Sequence, residues 1–488
     1  MYRLLILKEL KNILLSPKFS ATLAVCSILI LTSMGIGIQE YNHAVSQYEA
    51  NQSLARQNME QANGWGRVTQ SLHRKPDIMQ VFVAGLHYDV GRLSSINRTR
   101  DVKLQRSPYS DETLFAVFRF IDFTFIVQVV LSLFAILFTY NAINGERENG
   151  TLKLAFANPV SRIEYLVSKC VGIWLGLVIP LCIPILVGLL IIQLTGLPVS
   201  GEDWSRILSF LGLSMLYLTF FVVLGIWISS LTRKSSLSFL LLLVFWIASV
   251  LIIPRLGVTA AGQVIPTESI AQIEAKQAAF EKARWQDYTR QLTENMRERA
   301  DNMTNMTEEE RASYQEEKEW DWLEQDDAAR KQLQTDITNN NRLLLEETRN
   351  KQVIQQALAF NLARVSPASS YRLAAMQLAT TDMGMKTRYE EAMRVYRDNF
   401  VELVKRKQDE TGQTGGFKIN IDSNRGMKID FDRNNQGIDI SEVPLFTEPK
   451  PTLKASLVSA IPDFGLLGLF ILLAFGGSFF AFTRYDMR

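Results

Sequence analysis

From Glu146 the chain reads Glu-Arg-Glu-Asn-Gly-Thr-Leu-Lys-Leu, and further on Asn-Pro-Val-Ser-Arg leads to Arg162 and then Lys169. These residue types do recognition chemistry: carboxylates and guanidinium groups sit on two short helical segments punctuated by Gly150 and Pro159. Such a rigid, mixed-charge surface suits docking against a soluble partner through Glu146, Arg147, Glu148 and Arg162. The ordinary roles of the same residues are solvated charges, with Gly150 ending one helix and Thr151 capping the next. Bond-making chemistry has less support. The three histidines, His43, His73 and His87, have separations that match no compact metal-ligand motif. No Ser/His/Asp or Cys/His arrangement can be drawn. Asp430, Asp432, Asn434 and Glu442 depart from a calcium loop because Gly437 is displaced and Glu442 comes late, so a hairpin turn accounts for them better. No Gly-x-x-x-x-Gly-Lys-Ser/Thr loop occurs, and the chain therefore lacks a phosphate cradle of that kind.

The elements that must hold the 146–169 segment are hydrophobic. The chain has 488 residues, and its 47% apolar content is gathered into blocks. A helix crossing the roughly 30 Å hydrocarbon core needs about 20 mostly apolar residues. Six blocks qualify: 19–38, 120–140, 165–194, 207–231, 237–253 and 461–483. The first lacks a convincing small-residue cleavage site and is too long for a secretory signal, so it is expected to stay. The formal net charge of +2 says little, whereas the distribution of Lys and Arg says more. Arg3, Lys8, Lys11 and Lys18 precede the first span, Arg147, Lys153 and Arg162 follow the second, Arg233 and Lys234 follow the fourth, and Arg484 and Arg488 close the chain. Six crossings put all four groups on one side, which the positive-inside bias makes cytoplasmic together with both termini. Polar groups inside a span cost a few kcal/mol in lipid. Arg119, Asp122 and Gln128 of the second span are therefore candidates to line a path, with an interfacial ion pair and a helix–helix hydrogen bond as the plainer account.

Residues 1–18 alternate leucine and isoleucine with Arg3, Lys8, Glu9 and Lys11, as expected of an interfacial amphipathic helix broken at Pro17. On the far side lie residues 39–119 and a large segment, 254–460. From about 269 to 301 and from Thr307 toward 365 the latter reads as two long antiparallel helices, the second opened by a Thr307/Glu310 capping box. Pro367 interrupts, a shorter helical stretch follows from 370 to about 407, and alternating apolar residues at 417–421, 427–431 and 438–440 predict a three-stranded β meander. All three cysteines, Cys26, Cys170 and Cys182, lie in or beside spans, so the outer segments hold no disulfide framework. Basic residues there are interleaved with acids, which argues against a nucleic-acid surface. The fold class expected is an all-α polytopic membrane protein of six transmembrane helices, with a mainly helical extracytoplasmic stalk and a small β meander.

The order Glu146 or Glu148, Gly150, Thr151, Leu152, Pro159, Arg162 and Lys169, placed after the second span, resembles the cytoplasmic coupling region of ABC-2 type transporter permeases. The resemblance covers the six spans and that region, 141–164, somewhat over half of the chain. It implies an amphipathic elbow helix at 1–18. It further implies a permease subunit of a bacterial inner-membrane transporter that is no enzyme and carries no cofactor of its own. Two separate cytoplasmic ATPase subunits would bind ATP and Mg, and a second permease chain, identical or different, would complete the membrane unit beside lipid. Glu146, Arg147, Glu148, Gly150, Thr151, Leu152, Pro159 and Arg162 would be the ATPase-coupling residues for substrate export or extraction. The enlarged 254–460 segment departs from many relatives. It leaves open an alternative, in which the complex remodels an extracytoplasmic protein partner without moving a substrate.

Overall fold

The computed structural model describes residues 2–62, 64–65, 68–87, 93–96, 122–157, 160–411, 417–422, 426–431 and 439–484. Among them, six helices are long and apolar enough to cross a membrane: Pro17–Glu60, Phe123–Glu148, Arg162–Leu194, Gly201–Leu231, Ser235–Val264 and Leu453–Thr483. Each contains most of one expected block, and the chain is an all-α polytopic membrane protein. Most of these helices run past the apolar blocks, because capping and good helix formers extend a helix beyond the residues that lipid requires.

The helices in chain order are α1 (Tyr2–Leu14), α2 (Pro17–Glu60), α3 (Ser132–Thr139), α4 (Asn144–Glu148), α5 (Thr151–Phe156), α6 (Arg162–Leu194), α7 (Gly201–Leu231), α8 (Ser235–Ile247), α9 (Ile253–Val264), α10 (Ile270–Asn302), α11 (Glu308–Ala363), α12 (Pro367–Leu378), α13 (Gly384–Thr411) and α14 (Leu453–Thr483). Two spans contain π-helical turns, Ile126–Leu131 before α3 and Ala248–Ile252 after α8. The Trp246 indole donates to Ser132 Oγ at 2.8 Å, close to both turns. The wider π-turn leaves backbone carbonyls for other donors, and the Tyr217 hydroxyl uses one, Gln128 O, at 3.0 Å.

The chain divides into two compact units, Met1–Ile252 with Ser366–Arg488, and Ile253–Val365. In the first, small residues set helix spacing. A Cβ on Gly477 of α14 would lie 2.4 Å from the Trp227 ring of α7, and one on Gly225 would lie 1.8 Å from Thr139 Oγ1 of α3. Gly172 and Gly176 of α6 do the same for Glu9 and Ile13 of α1. A second, smaller core in this unit gathers Met59, Trp65, Leu72, Ile96, Met393, Tyr396 and Phe400. It is roofed by β1 (Gln70–His73) and β2 (Leu93–Ile96), an antiparallel pair with Gln70 opposite Ile96 that the sequence pattern did not reveal.

The expected meander is reduced to a hairpin, β3 (Phe417–Asp422) with β4 (Gly426–Phe431). Ile440 forms no strand; with Val443 and Phe446 it packs on the smaller core, where burial takes the place of strand pairing. Ile438 and Gly437 lie outside the described residues. Pro367 begins α12 at its first turn behind the Ser366 cap, a position that needs no backbone N–H. The stretch expected as one helix from 370 to 407 is two, α12 and α13, parted near Thr380, whose φ of 58° is left-handed.

The second unit holds α9, α10 and α11. α10 and α11 run antiparallel, tied by Arg284 to Asp336 and by a two-pronged Arg299–Asp326 pair at 3.0 and 2.8 Å. Capping boxes open both helices, Ser269 with Gln272 and Thr307 with Glu310.

Candidate functional site

The described residues of 141–169 are positioned largely by partners that lie far away in sequence. Gly150, at φ +73°, lets the chain leave α4 and enter α5, and no side chain crowds it. It follows the α4 C-cap Asn149 and is itself the N-cap of α5. Thr151 lies inside α5 and its hydroxyl donates back to Glu146 O at 3.2 Å, so it is no N-cap. The left-handed glycine already turns the chain, which leaves the threonine free to tie the two helices together.

Glu146 faces inward. Its carboxylate accepts from Lys169 Nζ at 2.8 Å, from Lys8 Nζ at 3.2 Å and from the Tyr165 hydroxyl. Lys169, with 4% of its side chain exposed, also meets Glu9 of α1 at 3.0 Å. A buried cation needs this much partnering, since an unpaired one costs several kcal/mol. Asn144, fully buried, donates to Thr232 Oγ1 at 2.9 Å and accepts from Ser229 Oγ at 3.1 Å, which locks the start of α4 to the end of α7. Glu148 accepts from Ser235 N at 2.9 Å and Oγ at 2.7 Å, supplying a negative charge at the N-terminus of α8. Arg162 donates to Phe482 O at 3.1 Å and to Thr483 O, a positive group at the C-terminus of α14. Leu152 is buried in the main core, and Phe156 packs on Tyr165 and Phe482.

The structure thus brings Glu146, Glu148, Leu152 and Arg162 together on three successive helices of the first unit, α4, α5 and α6. Arg147 is half-buried, Thr151 is exposed, and Pro159 lies outside the described residues. What faces outward is Lys153 and Leu154, the latter 69% exposed, on a short helix fixed from behind. Arg119 also lies outside the described residues. Asp122 accepts from Phe125 N at 2.7 Å and Ala84 N at 3.0 Å as an N-cap, and Gln128 sits buried in the π-turn.

With this geometry in place, the comparison with protein families is decisive. A model described as ABC-2 family transporter protein matches residues 4–487. The chain belongs to the ABC-2 transporter family. It is accordingly a multi-pass membrane subunit of an ABC transporter, a permease and not itself an ATPase, and its family associates with ABC ATP-binding subunits. A search of curated proteins found no match. The ABC-2 assignment spans the enlarged region between the fifth and sixth membrane helices as well as the bundle.

Sequence reasoning on this permease missed Glu9, Asn144, Ser229, Thr232 and Ser235. One signal was available: Lys169 lies inside an apolar run and needs an acid from elsewhere, and Glu9 interrupts the apolar pattern of α1.

Proposed function

We propose that this permease couples ATP hydrolysis by two separate cytoplasmic subunits to export or extraction of a substrate, and that residues 144–162 receive the stroke. The supporting observation is the division of labour around α4 and α5. Glu146, Glu148 and Arg162 bind the permease's own helices, while Lys153 and Leu154 face outward to meet a partner. A surface built this way transmits displacement, because a push on α5 is borne at once by α1, α6, α7, α8 and α14. The docking contacts are then Lys153, Leu154 and Thr151, with Glu146, Glu148 and Arg162 as anchors behind them. ATP and Mg sit on the ATPase subunits, a second permease chain completes the membrane unit, and both termini face the cytoplasm of what we take to be a bacterial inner membrane.

The test is isolation of the native complex in nanodiscs with identification of co-purifying chains, for wild type and for Leu154→Asp. Wild type should bring down an ATP-binding subunit with vanadate-sensitive hydrolysis. The variant should retain folding and lose most of that subunit. Recovery of the wild-type permease without any ATP-binding chain refutes the proposal.

A further inference from the structure

Arg206 is the largest wholly buried side chain among the described residues and lies one turn into α7, at the end opposite Ser229. One terminal nitrogen donates to Leu378 O at 2.9 Å and Ser456 Oγ at 3.1 Å; the other donates to Glu202 Oε1 at 2.8 Å and to Pro451 O. A single guanidinium therefore joins the start of α7 to the end of α12, the chain returning to the last span, and the first turn of α14. Glu202 adds a bond from Leu453 N at 2.7 Å. Beside it, Lys450 Nζ bridges Asp203 at 2.9 Å and Asp77 at 2.8 Å, fastening the turn that follows β1 to the same end of α7. Along its length α7 is also joined to α12, by Ser214 against the Tyr371 hydroxyl at 3.0 Å and by Tyr217 stacked on Tyr371 at 4.5 Å.

The other end of α7 holds the coupling segment, through Ser229 and Thr232 to Asn144 and through Ser229 Oγ to Ile143 N at 3.0 Å. A helix of 31 residues spans about 46 Å at 1.5 Å per residue, and this one carries polar fastenings at both ends. Burying an arginine is costly unless its donors are met, and here Nε is left without a partner, so an apolar contact would hold these segments with less expense. The guanidinium fork adds direction: it fixes four segments at set angles, where aliphatic packing would allow them to slide.

We propose that α7 is the rod that carries displacement from the coupling segment to the outer part of the first unit, and that Arg206 is the positioning residue that makes this outer part follow. The inference rests on the coupling reading above and adds the route and the residue.

Hydrogen exchange of the complex in nanodiscs, with and without Mg-ATP and vanadate, tests it on two sets of peptides: inner ones covering 144–156 and outer ones covering 367–411. In wild type both sets should change protection on trapping. In Arg206→Met the inner change should persist and the outer change should be lost, with Arg206→Lys recovering part of it; a purely structural role would raise outer exchange in both nucleotide states and leave the nucleotide-dependent difference in place. Should Arg206→Met fail to fold, Lys450→Met with Ser456→Ala is read in the same way. Outer peptides that respond equally in the variant, or that stay silent in wild type while inner ones respond, overturn the rod. Inner peptides that never respond refute the coupling reading, and the rod with it.

Discussion

Lys169 Nζ stands 2.8 Å from Glu146 Oε1 and 3.0 Å from Glu9 Oε1, so one buried ammonium closes the coupling segment against α1 and α6 together. Lys169→Met leaves the largely buried carboxylates of Glu9 and Glu146 without their shared cation, and breaking a buried pair in this way costs about 3–5 kcal/mol. Thermal unfolding followed by size-exclusion fluorescence should show a large fall. Adding Glu9→Gln and Glu146→Gln to Lys169→Met should recover much of it, because the uncompensated charges are then gone.

Gly150→Ala should cost about 1–2 kcal/mol, the penalty of a left-handed residue bearing a Cβ. Nothing lies within 4 Å of the added atom, so the strain is in the backbone alone. Asparagine, which tolerates this conformation, should cost less than alanine. An equal loss for both would place the cost elsewhere.

Gly225→Ala drives a methyl into Thr139, and Gly477→Ala drives one into the Trp227 ring. Overpacking of a tight helix contact costs typically about 1–3 kcal/mol. Thr139→Ala should rescue Gly225→Ala in a double-mutant cycle and leave Gly477→Ala unrescued.

Much of this fold could be read from composition, because lipid imposes a length and an apolarity that no soluble packing imitates. The six spans and the Thr307/Glu310 cap followed from residues that act within a few positions of themselves. The anchoring of the coupling segment did not, since Glu146, Glu148 and Arg162 find partners 138, 87 and 320 positions away. Nothing local distinguishes a carboxylate that docks a subunit from one that caps a distant helix. The β1/β2 pair escaped for the same reason: each strand is four residues long, too short for alternation to stand out.

Burial raises the Glu448 carboxyl above the usual glutamate range, although Lys75 and Lys450 pull it down. An acid whose folded value is raised binds its proton more tightly when folded. Its contribution to stability is therefore most favourable below the unfolded value of about 4.3 and declines as pH climbs through the folded one. Glu448→Gln keeps an acceptor for Lys75 N and removes that penalty. The variant should melt higher than wild type at pH 7 and match it near pH 4; a variant less stable at pH 7 contradicts this sign.

Arg299 grips Asp326 with two bonds while lying 5.2 Å over the Trp322 ring. Arg299→Ala should cost about 1 kcal/mol, since both groups are part-exposed, and should show as faster hydrogen exchange in α10 with α7 unaffected.

The helix from Pro17 to Glu60 runs 44 residues without a break, about 66 Å. Only about 30 Å of that fits inside hydrocarbon, which leaves roughly 36 Å of stiff shaft outside it. Geometry then multiplies small angles: pivoting the lipid-bound portion by about 10° sweeps the Glu60 tip sideways by about 6 Å. A modest tilt within the bilayer becomes, at the far end, a shift as wide as a side chain.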